Sequence, residues 1–151
     1  MDSTDLKILA ILQEDASLPV AEIAARVNLS QTPCWRRIQR LQMSGVIERR
    51  VAILSPEAIG MDISVFVSIE CGDHSTDWLA RFSALLSEMP EVMEVHRMAG
   101  DIDYLLRVTV RNMAAFDTFY RDLISRVPLK NVTSRFAMER VKFTTAYPLA
   151  S

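Results

Sequence analysis

Residues 29–41 read LSQTPCWRRIQRL, and a glycine followed by a short apolar run, GVI, occupies residues 45–47. Cys34, Ile38 and Leu41 recur at helical spacing, which predicts one buried stripe on a helix that ends before the glycine. The positions between them carry three arginines. The stretch therefore predicts an amphipathic helix with a cationic outer surface.

The start of this helix and its charge suit contact with DNA. Ser30 or Thr32 can cap the helix by accepting backbone N–H bonds, and Pro33 suits a first helical turn. Residues 36–50 hold five arginines against one acid, Glu48. Arginine makes bidentate contacts with phosphate and guanine, as a recognition helix requires, although a solvated charged surface is the alternative. The expected DNA contacts are Ser30, Gln31, Thr32, Pro33, Trp35, Arg36, Arg37, Gln39, Arg40, Arg49 and Arg50.

Two shorter helices are expected before the basic one. Asp2 can cap the first, and Pro19 opens the second. The β-rich residues 46–54, which include two arginines, predict a wing hairpin beside the helices. Residues 1–54 are thus expected to form a winged helix-turn-helix domain, and residues 55–62 a linker.

The second half of the chain alternates strand and helix patterns. A period-2 run begins at Ile63, and aromatic and aliphatic residues then recur at helical spacing in two segments, ending near Pro90 and Pro128. These aromatic residues are expected to be core. The order β-α-β-β-α-β predicts a ferredoxin-like domain over residues 63–151, so the whole chain falls in the α+β class. The predicted strands are 63–70, 92–98, 104–110 and 132–141.

Composition excludes several other classes. The net charge of −2 argues against a generic polycation, and the sequence shows no signal peptide and no apolar run of transmembrane length. Cys34 and Cys71 are too few and too isolated to predict a disulfide framework or a zinc site. We expect a cytoplasmic protein with no membrane partner and no cofactor.

Several segments resemble the Lrp/AsnC family of feast/famine transcription regulators. The similarity rests on segments that together span nearly the whole chain, namely residues 2–9, 23–30, 32–38, 100–106 and 136–142. It implies a regulator that binds double-stranded DNA through its amino-terminal domain. It also implies an effector (RAM) domain that binds an amino acid, pairs into homodimers and assembles further into rings, commonly octamers.

By position, the resemblance places the effector at the glycine loop between the second and third strands, with a wall from a partner subunit. Acidic side chains there can pair with an ammonium group, and backbone N–H groups near Gly100 can meet a carboxylate. The alternative is a tight turn with no ligand. The expected ligand contacts are Met98, Ala99, Gly100, Asp101, Ile102, Asp103 and Tyr104, with Thr133 and Ser134 on the partner wall.

A branch of the family that includes a cysteine-responsive activator is similar at residues 32–35, 74–75, 89–92, 97–100, 119–120 and 144–145. This resemblance implies L-cysteine or a similar small amino acid as effector. Two other function classes remain open at this point. A small enzyme could use His74 or His96, although His74 has only sequence neighbours to assist it and catalytic groups converge from separate elements. A sensor that does not bind DNA is the other alternative, and the arginines of the basic helix argue against it.

Overall fold

The computed structural model describes residues 1–149, which contain five helices and four strands. They form two compact units, one of residues 1–53 with 141–149 and the other of residues 54–140. In the described chain, no helix combines the length and the apolar character needed to cross a membrane. The elements are α1 (Ser3–Glu14), α2 (Val20–Arg26), α3 (Gln31–Met43), β1 (Ile63–Glu70), α4 (Thr76–Glu88), β2 (Val92–Arg97), β3 (Tyr104–Val110), α5 (Met113–Arg126) and β4 (Asn131–Phe136).

The helical unit packs α1, α2 and α3 around one small core. Asp2 caps α1 in a capping box with Asp5, in which each side chain accepts the other residue's backbone N–H. Between α2 and α3 the chain turns at Asn28, whose φ of 56° is the left-handed conformation that asparagine tolerates. The core residues are Ile8, Leu12, Ile23, Ala24, Val27, Cys34, Ile38 and Leu41.

The carboxy-terminal segment also belongs to the helical unit. The side-chain amide of Gln13 exchanges two hydrogen bonds with the backbone of Tyr147, donating to its carbonyl at 2.8 Å and accepting from its N–H at 2.9 Å. Residues 141–149 group with the helices by their contacts. The domain predicted over residues 63–151 stays a prediction, and its residues 150 and 151 lie outside the described part of the chain.

The second unit is an antiparallel sheet with strand order β2-β3-β1-β4 and two helices. Alternate residues of β1 and β3, such as Val65 opposite Val108, point into the core. There they pack with aromatic residues of α4 and α5, including Trp78, Phe82 and Phe119. The other sheet surface carries Phe66, which is 38% exposed.

The helix-turn-helix, the ferredoxin-like element order and the aromatic core are confirmed, but three local predictions are wrong. Residues 46–54 form no strand, so the described chain has no wing hairpin. Val51 and Ile53 remain about 60% exposed. β4 ends at Phe136 rather than at residue 141, and Ser30 is the N-cap of α3 without a side-chain hydrogen bond.

Candidate functional site

The outer surface of α3 is the first candidate site. Cys34, Ile38 and Leu41 are buried as their spacing predicts, which leaves the opposite surface to solvent. That surface begins at the amino-terminal turn, where Gln31, Thr32 and Pro33 are exposed after exposed Ser30. Trp35 is 50% exposed, an unusual position for an aromatic residue that no core requires. A recognition helix presents this end to base edges.

An ion network joins α3 to the start of α1. The carboxylate of Asp5 accepts from Arg37 at 2.8 Å and from Arg40 at 2.9 Å, and Arg37 also donates to Asp2 at 2.7 Å. Asp5 is only 1% exposed, whereas the Arg40 side chain is 62% exposed. The network therefore fixes the orientation of α3 against α1, with Asp5 at its centre.

The charges of this network are consistent with its geometry. Burial alone raises the pKa of Asp5, but the backbone N–H of Asp2 and the guanidinium of Arg37 together hold that pKa below its usual value. The hydrogen bond from Arg37 likewise lowers the pKa of Asp2. Both acids are therefore carboxylates at neutral pH, as the ion pairs require.

The arginines of the helical unit fall into two groups. Arg26, Arg37 and Arg40 are paired with acids, whereas exposed Arg36, Arg49 and Arg50 make no ion pair within residues 1–149. Gln39 is half-buried and bonds to Gln42 at 3.3 Å. Helical spacing sets Arg37 beside the buried stripe, three positions from Cys34, and sets Arg36 on the opposite side. The acids that pair with Arg37 could not be found from spacing, because they lie more than thirty positions away in the chain.

The loop between β2 and β3 is the second candidate site. Its ends are closed by the N–H of Met98, which donates to the carbonyl of Asp103 at 2.8 Å. The N–H of Asp103 donates to the carbonyl of Ile69 on β1 at 2.9 Å. Gly100 has a φ of +141°, a conformation that side-chain-bearing residues rarely adopt.

A cavity of about 130 Å³ lies beside this loop. It brings together three of the predicted ligand residues, Met98, Asp103 and Tyr104, with Arg97 and His74. Tyr104 is mainly a core residue, since its ring packs at 4.9 Å from Phe82 and is 9% exposed. Trp78 and Leu79 complete the lining of this cavity. A separate, larger apolar groove of about 260 Å³ lies between α4 and β2.

The other predicted ligand residues lie outside this lining. Ala99, Gly100, Asp101 and Ile102 form the loop itself. Thr133 and Ser134 are on β4, at the opposite edge of the sheet, with β1 and β3 between them and β2. One chain therefore does not bring the two predicted walls together. The hydroxyl of Ser134 is buried with no hydrogen-bond partner among the described residues.

Sequence reasoning missed a cluster at the end of β1. The thiol of Cys71 lies 3.5 Å from Nδ1 of His74, and the N–H of Cys71 donates to the carboxylate of Asp103 at 2.8 Å. The cause is the register of the sheet, in which Ile69 pairs with Tyr104 and so sets Asp103 beside the end of β1. A Cys-x-x-His spacing was the only signal in the sequence.

Burial and the nearby Asp103 carboxylate raise the pKa of the Cys71 thiol to about 11. The backbone N–H of Cys71 and its thiol hold the pKa of Asp103 below its usual value. At neutral pH Cys71 is therefore a protonated thiol beside a carboxylate, and both nucleophilic attack and metal ligation require the loss of its proton.

Two family models match the chain. The AsnC-type helix-turn-helix domain matches residues 1–42, and the Lrp/AsnC ligand-binding domain matches residues 64–147. The chain belongs to the Lrp/AsnC family. It is therefore a DNA-binding transcription regulator rather than an enzyme, of a family that binds amino acids.

Curated relatives and solved structures of this family match along nearly their full length. The chain is 47% identical to the DNA-binding transcriptional activator DecR of Escherichia coli over 150 residues, covering 99% of both chains. It is also 47% identical to the glutamate uptake regulatory protein of Zymomonas mobilis over 149 residues, covering 99% of this chain and 91% of that protein.

Two crystal structures have closely similar folds. An AsnC family regulator from Agrobacterium tumefaciens has a TM-score of 0.95 at 54% identity, covering 99% of this chain and 97% of that one. A transcriptional regulator from Neisseria meningitidis, solved as an L-Met complex, has a TM-score of 0.94 at 35% identity, with the same coverage.

Proposed function

We propose that this Lrp/AsnC regulator responds to L-cysteine or a similarly small amino acid, which binds at the cavity beside the β2–β3 loop. The observation that carries the proposal is the pair of opposite charges in the cavity lining, Arg97 and Asp103. A free amino acid presents an ammonium and a carboxylate together, and these two side chains complement them. At about 130 Å³ the cavity is far below the roughly 300–1,000 Å³ of drug-sized ligand sites, which favours a small side chain.

The names of the relatives supply the competing effectors. One relative is named for glutamate uptake, and one similar structure holds L-Met. A glutamate side chain would bring a second carboxylate close to Asp103, whose lowered pKa keeps it charged. This repulsion favours a neutral amino acid over glutamate.

We expect the arginines outside the ion network to contact DNA and Arg37, within it, to position α3. We expect Arg36, Arg49 and Arg50 to contact DNA, since they are exposed and carry no recorded acidic partner within residues 1–149. Arg40 is exposed enough to join them. Arg37 instead positions α3 through Asp5 and Asp2. Replacing Arg36 by Ala should weaken DNA binding and reduce the slope of affinity against salt by about 1 if it contacts phosphate.

Assembly of copies of the chain would complete the effector site. Phe66 and Leu105 give the solvent-facing sheet surface an apolar centre, with Arg107 paired to Glu94 at its side. Such a surface suits burial against a second sheet. A neighbouring copy could then supply Thr133 and Ser134 to the loop. We propose that homodimers assemble into an octamer. Effector binding would then reach the DNA-binding units as a shift between assembly states. Such a regulator would act in the cytoplasm, where bacterial DNA lies.

Titration calorimetry on the full chain tests the effector. L-Cysteine, kept reduced, is compared with L-serine, L-methionine, L-leucine and L-glutamate. We expect L-cysteine to bind most tightly, and Arg97→Gln to weaken it by about tenfold or more, since a hydrogen bond to a charged group contributes about 1.5–3 kcal/mol.

Arg111→Gln is the matched control, because Arg111 is exposed and lies outside the cavity lining. Equal loss in both variants, or tighter binding of glutamate than of cysteine, would contradict the proposed effector.

A further inference from the structure

We propose that Cys71, His74 and Asp103 form a binding site for a thiophilic divalent cation, with Zn²⁺ as the preferred ion. The three residues offer a cysteine sulfur, an imidazole nitrogen and a carboxylate oxygen, all within 4.8 Å of one another. These are the three ligand types that zinc takes from proteins. The cation would displace the proton of the Cys71 thiol, so binding releases a proton to solvent. The site stands on this geometry and shares Asp103, the proposed partner of the effector ammonium, with the neighbouring cavity.

The sulfur and the nitrogen already have the separation that zinc requires. Zn–S and Zn–N bonds of about 2.3 and 2.05 Å at a tetrahedral angle place the two ligand atoms roughly 3.6 Å apart. Cys71 Sγ and His74 Nδ1 are 3.5 Å apart. The most widely separated ligand atoms, at up to 4.8 Å, would have to approach each other by about an ångström to bind one cation. The side chain of His74 is exposed and can make this movement.

The backbone holds the other two ligands in place. Cys71 directly follows β1, and the hydrogen bond from its N–H fixes the Asp103 carboxylate. A carboxylate has two oxygens, so the one bonded to this N–H can orient the other toward an ion, as outer-shell hydrogen bonds do in known metal sites. His74 directly precedes Ser75, the N-cap of α4, which limits the position of its backbone.

Three protein ligands leave one position of a tetrahedral ion open. Both His74 and Asp103 also line the 130 Å³ cavity, so that open position would face a space that a small ligand can enter. Sites with three protein ligands and an open position exchange ligands, whereas four-ligand sites are closed and structural. The proposed site is therefore of the exchangeable kind.

Cobalt titration of the untagged full chain, stripped of metal with a chelator, tests the site without any amino acid present. We expect one Co²⁺ per chain with a thiolate-to-cobalt charge-transfer band, and displacement by Zn²⁺, which binds more tightly to such ligands. Cys71→Ser should abolish the band. His74→Ala should weaken Co²⁺ binding by at least about tenfold and, because His74 is exposed, should leave the fold intact.

His96→Ala is the matched control, since His96 is an exposed histidine on β2 that contacts Glu94 instead. It should bind Co²⁺ as the unsubstituted chain does. Absence of the thiolate band, or equal Co²⁺ affinity in His74→Ala and His96→Ala, would overturn the site. Because the cobalt titration contains no amino acid, its failure would leave the calorimetric test of the effector standing.

Discussion

Replacing Asp5 by Ala should destabilise the helical unit more than its single side chain suggests. Asp5 is 1% exposed and accepts hydrogen bonds from the backbone of Asp2, from Arg37 and from Arg40. Its removal leaves the Asp2 N–H and the Arg37 guanidinium without this acceptor. The Arg37 side chain is 27% exposed, so water replaces the lost acceptor only in part.

The stability lost in Asp5→Ala depends on how deeply each contact of Asp5 is buried. Arg40 is 62% exposed, and a surface pair of that kind contributes at most about 1 kcal/mol. The hydrogen bonds to the buried carboxylate dominate, and a charged hydrogen bond contributes about 1.5–3 kcal/mol. In a unit of this size 1 kcal/mol corresponds to about 4–8 °C, so the Tm of the helical unit should fall by at least about 6 °C.

Scanning calorimetry of the full chain measures the fall, and hydrogen exchange read by mass spectrometry assigns it to residues 1–53. Glu14→Ala is the control, because Glu14 is exposed in the same helix and no ion pair is recorded for it within the described chain. Surface changes of that kind stay within about 0.5 kcal/mol, or about 4 °C. If the Tm of Asp5→Ala falls by no more than about 4 °C, the network does not hold α3 in place and the reasoning fails.

Three further outcomes are expected. The unsubstituted chain should have a larger free energy of unfolding than Asp5→Ala at neutral pH, and this difference should disappear as the pH falls below about 4. The pKa of Asp5 is lowered in the folded state, so protonating its carboxylate removes stability. Urea unfolding across pH measures the difference. Gly100→Val should lower the free energy of unfolding by about 1–3 kcal/mol; a Cβ at this position meets no atom within 4 Å, so the cost comes from the φ of +141°. Amino-acid binding in calorimetry should weaken, while DNA binding persists. Phe66→Ser should weaken self-association by about tenfold or more in sedimentation velocity, and an unchanged assembly would place the interface elsewhere.

Periodicity was enough to predict the elements whose packing is local. Cys34, Ile38 and Leu41 are buried at their predicted spacing, and the alternation from Ile63 onward became β1 with Val65 and Val67 in the core. The wing was not predictable from β-propensity alone. Propensity indicates that residues can form a strand, but a strand needs a partner, and residues 46–54 have none in the described chain.

The chemistry of both candidate sites depends on long-range register, which a single sequence does not reveal. Helical spacing places Arg37 beside the buried stripe of α3, but it does not reveal that Asp2 and Asp5 pair with Arg37 from the start of α1. Cys71 and Asp103 are thirty-two positions apart and meet only because β1 and β3 pair antiparallel. The loop was identifiable as a region, whereas Arg97 and His74 emerged only from the cavity.

The central claim is that one chain reads a specific DNA sequence and changes that reading when it binds a small amino acid. Selection of fragments of the source genome by the full chain, sequenced with and without L-cysteine, tests both halves in one measurement. We expect enrichment of a roughly palindromic site, a change in its recovery when L-cysteine is added, and weaker recovery of that site by Arg36→Ala. Recovered fragments that match the input pool, or an enrichment that neither L-cysteine nor the other amino acids of the calorimetry series alters, would contradict the account.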